Sequence, residues 1–86
     1  MILVDEVGHL VSDAGTEELH RFAHLVGLRR HWYRGGRGHP HYDVTTARAR
    51  RRVIAAGATV VSSRELVRRM VRAARIGKEL PLFPAG

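Results

Sequence analysis

Met1 to Val4 form an unbroken apolar run that stops at the acids Asp5 and Glu6, and a short run of that kind reads as a buried strand. After Gly8, "HLVS" at 9–12 reads as a second, shorter extended piece. "TEELHRFAHLVGL" then changes period. Leu19, Phe22, Ala23 and Val26 recur at i, i+3, i+4 and i+7, the spacing of one apolar helical stripe. Thr16 is placed to cap that helix, Glu17 and Glu18 suit the positive end of its dipole, and Gly27 suits its stop.

"RRHWY" at 29–33 reads as a short strand, "RGGRGHP" at 34–40 as a loop, and "HYDV" at 41–44 as a brief strand. A second helix, "TARARRRVIAA", is expected behind Thr45 or Thr46, burying Ala49, Val53 and Ala56 and ending at Gly57. "ATVVS" reads as a buried strand. Ser62 and Glu65 have the spacing of a capping box, which starts a third helix with Leu66, Val67, Met70, Val71 and Ala74 on its apolar face and a stop at Gly77. Helices alternating with apolar strands predict a small single α/β domain over residues 1–77. It should hold a short mixed sheet, at least one parallel strand pair and about three helices. Residues 78–86, with two prolines, are expected to form an extended tail that leaves the domain or docks on a neighbouring subunit.

Composition adds little to the fold and more to the partner. A chain of 86 residues is one domain with a small core, which a second subunit could complete, so a homo-oligomer is expected. No cysteine is present, which excludes disulfides and thiolate chemistry and fits a reducing, cytoplasmic setting. No apolar run is long enough for a membrane span, and the N-terminus lacks the basic start of a signal peptide. The formal charge is +7, and every basic residue except Lys78 is arginine. Arginine's planar fork suits phosphate, so the excess points to nucleic acid or a nucleotide; a coding bias towards arginine produces the same count.

The chemistry-bearing residues concentrate in "HPHYDV". In an extended segment His39, His41 and Asp43 share one face and Tyr42 takes the other. A histidine with a carboxylate two residues on serves as an oriented general base or as two metal ligands. In parallel sheets ligands gather at the carboxyl ends of strands, which brings Asp5 and Glu6, Ser62 to Arg64, and His41 with Asp43 into consideration together. His20 and His24 have the i, i+4 spacing of a helical metal pair, but Arg21 stands where a zinc protease has its glutamate. Arg48, Arg51 and Arg52 on the second helix, and Arg68, Arg72 and Arg75 on the third, form basic stripes suited to a phosphate backbone or simply to water. Trp32 and Tyr33 among Arg29, Arg30 and Arg34 mix aromatic and basic groups as base stacking requires. The "RGGRGH" loop, with Arg34 and Arg37, matches no phosphate-binding fingerprint.

With these residues in view, the chain resembles a bacterial and phage family known as domain of unknown function 4031. The resemblance rests on "VDE" after the first strand, "HLVSD", "EELHRFAHLVGL", "HYDV" and "AAGATVVSSRELVRR", in that order along the domain. It implies no mechanism, but it singles out Asp5, His9, Asp13, His20, His41, Tyr42, Asp43, Arg64 and Glu65. Members of that family have a longer segment, often aromatic and basic, between the first strand and "HLVSD". Here it shrinks to "VG", which implies a more open site or a substitute from the "RGGRG" loop.

Three functions are open on these grounds. The first is recognition of a phosphate-bearing ligand, with phosphodiester hydrolysis centred on His41, Asp43, His9 and Asp5. Tyr42, His20, Arg34, Arg37, Arg64, Arg68 and Trp32 would hold the ligand, and Asp5, His41 and Asp43 are the expected ligands of any divalent metal. The second is a non-catalytic oligomeric module that sequesters a nucleotide or regulates a partner. The third is a purely structural partner protein.

Overall fold

The computed structural model describes residues 1–36 and 39–79, the side chains of 76–79 excepted. Its elements are β1 (Ile2–Val4), β2 (His9–Ser12), α1 (Thr16–Leu25), a 3₁₀ turn (Arg30–Trp32) and β3 (Tyr33–Arg34). They continue with β4 (His41–Asp43), α2 (Ala47–Ala55), β5 (Thr59–Val60) and α3 (Ser63–Glu79). The strands form one mixed sheet in the order β3-β4-β2-β1-β5. The parallel pair expected from the sequence is β1 with β5; β1–β2, β2–β4 and β3–β4 are antiparallel. The protein is therefore a small α/β domain.

Both sheet faces are used, because strand side chains alternate. Ile2, Val4, Leu10 and Tyr42 point to one side, where Leu19, Ala23 and Val26 from α1 and its C-terminal end, and Ala49 and Val53 from α2, complete the larger core. Leu3 and Val11 point to the other side and meet Leu66, with Val61 and Met70 packed around them. Leu3, Leu10 and Leu19 are almost wholly buried, each removing apolar surface worth about 1.5–3 kcal/mol. Among the described residues the cluster beneath α3 takes nothing from β3 or β4. On that side the outer two strands form an open ledge.

Several local expectations change. "RRHWY" is mostly the 3₁₀ turn, and only Tyr33 starts a strand. Arg52 explains part of this, since its guanidinium donates to the Val26 carbonyl at 3.1 Å and ties the end of α1 to α2 just before the turn. Thr16 is the first helical residue of α1 and Gly15 its cap, without a side-chain hydrogen bond. Thr59 and Val60 are exposed, because β5 is the sheet edge; only Ala58 beside them is buried. Ala56 is exposed as well. On α3, Leu66 and Met70 pack on the sheet while Val67, Val71 and Ala74 face outward. Gly77 does not end α3, which continues to Glu79; the rest of the expected tail lies outside the described residues.

The caps hold more closely to the sequence. Thr46 caps α2, its hydroxyl accepting from the Ala49 amide at 3.0 Å. Ser62 accepts from the Glu65 amide at 3.0 Å, giving half of the capping box, while Glu65 turns instead to Arg69 at 2.9 Å. Thr46→Ala is expected to cost about 1 kcal/mol, read as a lower midpoint in urea with an unchanged slope. A loss near zero would show that this cap does not hold α2.

Candidate functional site

Asp5 is the structural centre of the site. It follows β1, is 1% exposed, and its side chain folds back over the turn that leads into β2. One carboxylate oxygen, Oδ1, accepts from three backbone amides, Val7 at 3.0 Å and Gly8 and His9 at 2.8 Å each. The other, Oδ2, accepts from the Ser63 hydroxyl at 2.8 Å and faces His9 Nδ1 at 2.9 Å. Arg50 of α2 donates to the Asp5 backbone carbonyl. The turn can close this tightly only because residue 8 is glycine: its φ is +107°, and its amide and carbonyl lie between Asp5 and Val44.

Burial pushes the Asp5 carboxyl up. The donors, led by the His9 ring and followed by the His9 amide, the Ser63 hydroxyl and the Gly8 amide, outweigh it and hold the group down from the ordinary 3.8 to about 2. The sign for stability follows. A depressed carboxyl stabilises the fold fully above its unfolded value and loses that contribution as pH falls through the folded one. Between about pH 4 and pH 2 the loss is about 2 kcal/mol. Urea unfolding of wild type and Asp5→Asn across that range checks it, because only the wild type should show this part of the acid slope.

His9 stands directly opposite Asp43 in the β2–β4 register, and Arg34 opposite His41 in the β3–β4 register. Residues paired across antiparallel strands share a face, and so do residues 41 and 43 along β4. His9, His41, Asp43 and Arg34 consequently stand together on the open ledge. The His9 and His41 rings meet edge to face, with centroids 5.1 Å apart. His41 Nδ1 faces the His39 carbonyl at 2.9 Å, and its Nε2 is 3.1 Å from an Asp43 oxygen. Arg34 Nε lies 3.3 Å from the other Asp43 oxygen. One ligand atom each from His9, His41 and Asp43 lies within 4.8 Å of the others.

The proton positions follow from the partners. A carboxylate and a backbone carbonyl only accept hydrogen bonds, so each assigns the ring proton to Nδ1. A neutral His9 ring then keeps its lone pair on Nε2. His41 Nε2 faces a second acceptor, the Asp43 carboxylate at 3.1 Å, so that contact takes either a second ring proton or a cation between the two groups.

Other sequence candidates divide clearly. Tyr42 is buried on the opposite face of β4, where its hydroxyl meets His20 Nδ1 at 2.8 Å. Burial raises the Tyr42 hydroxyl, and burial followed by the charge of Arg30 lowers His20. This pair belongs to the core side, away from the ledge, and His24 is exposed. Trp32 packs against the larger core. Arg64 and Arg68 are exposed on α3, and Arg68 lies 3.7 Å from Glu65. Arg37 is outside the described residues. Asp5 lies behind His9; the ligand atoms that converge are those of His9, His41 and Asp43, and two of these residues, His41 and Asp43, belong to the expected metal set. Sequence reasoning missed Arg50. Its signal was a basic residue next to buried Ala49 and three before buried Val53, on the inward flank of α2.

The ledge and the Asp5 turn thus define a small α/β domain with a histidine–carboxylate cluster at one edge of its sheet. The chain belongs to a family described as protein of unknown function DUF4031, whose model matches residues 4–73. No curated protein and no solved structure matches it. No helix among the described residues is long and apolar enough to cross a membrane.

Proposed function

We propose that the protein recognises a phosphate-bearing ligand, nucleic acid or nucleotide, on the open ledge of its sheet and hydrolyses a phosphodiester bond there, in a cytoplasmic setting. One observation carries the reading: His9 is held by a buried carboxylate on one ring nitrogen, and a ligand atom of its ring lies within 4.8 Å of ligand atoms of His41 and Asp43. An imidazole held in this way is pre-oriented for proton transfer or for metal binding, and it spends no freedom at the moment of reaction. Arg34, 60% exposed and held at Asp43, supplies a guanidinium beside the same point to offset charge developing on phosphorus. The formal charge of +7 raises the local concentration of a polyanion around the ledge.

Hydrolysis requires that a water oxygen add to phosphorus as it loses a proton, that the P–O ester bond break, and that the leaving oxygen take up a proton. The test is incubation of wild type, His9→Ala and His41→Ala with labelled single-stranded RNA, single-stranded DNA and duplex DNA at low and high salt. Cleavage by the wild type that falls by at least about a hundredfold in either variant is expected. Salt-sensitive binding without cleavage would reduce the proposal to ligand recognition. Neither binding nor cleavage, extended to mononucleotides, would remove it.

A second reading has its own support. Val67 and Val71, each 49% exposed, and Val60 at 51% are large apolar side chains left facing outward on α3 and the β5 edge. They favour a non-catalytic binding or regulatory module that works as an oligomer or on a protein partner. Sedimentation of wild type and Val67→Ser/Val71→Ser separates the two readings. A wild-type dimer that falls apart in the double variant, with no cleavage by either, favours the second.

A further inference from the structure

We infer that His9 Nε2, His41 Nε2 and the Asp43 carboxylate bind one divalent transition-metal ion, with Asp5 as the positioning residue that fixes His9. As chemistry this rests on the hydrolytic reading of the ledge; as binding it does not.

Three separate features lead there. The first is convergence, since one ligand atom from each of the three side chains lies within 4.8 Å of the others, on two adjacent, registered strands. The second is that both imidazoles are turned the right way. Metal-bound histidines characteristically donate their other ring N–H to a carboxylate or a backbone carbonyl, which fixes the tautomer and strengthens the ligand. Here Asp5 holds His9 at 2.9 Å and the His39 carbonyl holds His41 at 2.9 Å, one partner of each kind. The third is the contact between His41 Nε2 and the Asp43 carboxylate at 3.1 Å, which either a second ring proton or a cation can join. A cation placed between them and His9 satisfies all three groups at once.

Metal–ligand bonds of about 2.0–2.2 Å set tetrahedral ligand atoms roughly 3.4 Å apart. Closing on an ion therefore requires side-chain movement of about an ångström, which His9, 41% exposed, and Asp43, 32% exposed, have room to make. Two nitrogens and one carboxylate suit zinc, cobalt, manganese or ferrous ions rather than the all-oxygen preferences of magnesium or calcium. Three protein ligands leave positions for water and substrate, as catalytic sites do and closed structural sites do not. A water bound there would release a proton to solvent more readily. Its oxygen would bond to phosphorus as the ester P–O bond breaks, and the leaving oxygen would take a proton from solvent. No oxidant or reductant enters. Asp5 cannot itself be a ligand without giving up the donors that fill it, so it acts through His9.

The test is titration of chelator-treated protein with Zn²⁺ by calorimetry and with Co²⁺ by visible absorption. The variants are His9→Ala, His41→Ala, Asp43→Asn, Asp5→Asn and, on the exposed face of α1, His24→Ala. One ion per chain is expected. Affinity should fall by at least about tenfold in His9→Ala, His41→Ala and Asp43→Asn, fall by about 10–100-fold in Asp5→Asn, and stay unchanged in His24→Ala. His9 and His41 are partly exposed, so their variants keep the test open even if Asp5→Asn does not fold. Absence of stoichiometric binding, or binding that both His9→Ala and His41→Ala leave intact, overturns the inference. A bound ion with no phosphodiester cleavage upholds the metal centre and sinks the hydrolytic reading. Cleavage that survives chelator but is lost in His9→Ala does the reverse.

Discussion

Replacing Asp5 with alanine is expected to lower the unfolding free energy by about 3–5 kcal/mol. A domain of this length has only roughly 4–13 kcal/mol in total, so the loss takes about a quarter of it at the top of that range and most of it at the bottom. The loss is large because the substitution removes an acceptor and strands its donors. The amides of Val7, Gly8 and His9 and the hydroxyl of Ser63 all point at the carboxylate, and the Gly8 amide contact is buried. Asp5→Asn keeps one acceptor but turns an amide group against the remaining donors, so an intermediate loss is expected. Chemical denaturation of the three proteins at neutral pH provides the ranking. A loss below about 1 kcal/mol for Asp5→Ala would mean that the turn holds its shape without the carboxylate.

Gly8→Ala is expected to cost at least about 3 kcal/mol, from backbone strain and overpacking together. A Cβ built on Gly8 would lie 2.4 Å from the Val44 carbonyl oxygen, and the φ of +107° is one that side chains rarely adopt. Neither partner can yield easily, because the Gly8 carbonyl accepts the Val44 amide at 2.8 Å and closes the gap between the turn and the end of β4. Gly15→Ala isolates the two causes. Gly15 has a comparable φ of +121° but open space around it, so it should show the backbone strain alone and cost less. Thermal melts of the two variants side by side decide the matter, and equal losses would show that the close approach at Gly8 contributes nothing.

The part of the site that lies on β4 was legible because it depends only on alternation. His41 and Asp43 share one face and Tyr42 the other in any extended segment, and the strand is extended. The pairing of His9 with Asp5 was not legible, since it depends on a turn whose shape comes from Gly8 and from three amides collecting on one carboxylate oxygen. The Asp5–Gly8 spacing was a clue to such a turn, yet nothing local says which ring will fill the second oxygen. Arg50 was hidden for a different reason. Its role is set by where α2 lands relative to β1, and a helical stripe cannot reveal that. The apolar pattern of α3 was legible as one face, but how much of that face is buried was not. Periodicity reports which residues share a side, and the width of the sheet beneath decides how many of them it covers; here β1 and β2 accommodate Leu66 and Met70 but leave Val67 and Val71 outside.

The bonds at Asp5 join pieces of chain that are far apart in sequence: the residue meets His9 only 4 positions away, Arg50 at 45 and Ser63 at 58. On a growing polypeptide the first of these contacts is available early and the last must wait until Ser63 has cleared the ribosome. Until then the carboxylate has its turn but not its hydroxyl, although Arg50, made earlier, can already reach the Asp5 backbone carbonyl. A translation product cut short before that serine carries every histidine and carboxylate of the ledge and still lacks the scaffold that aims them.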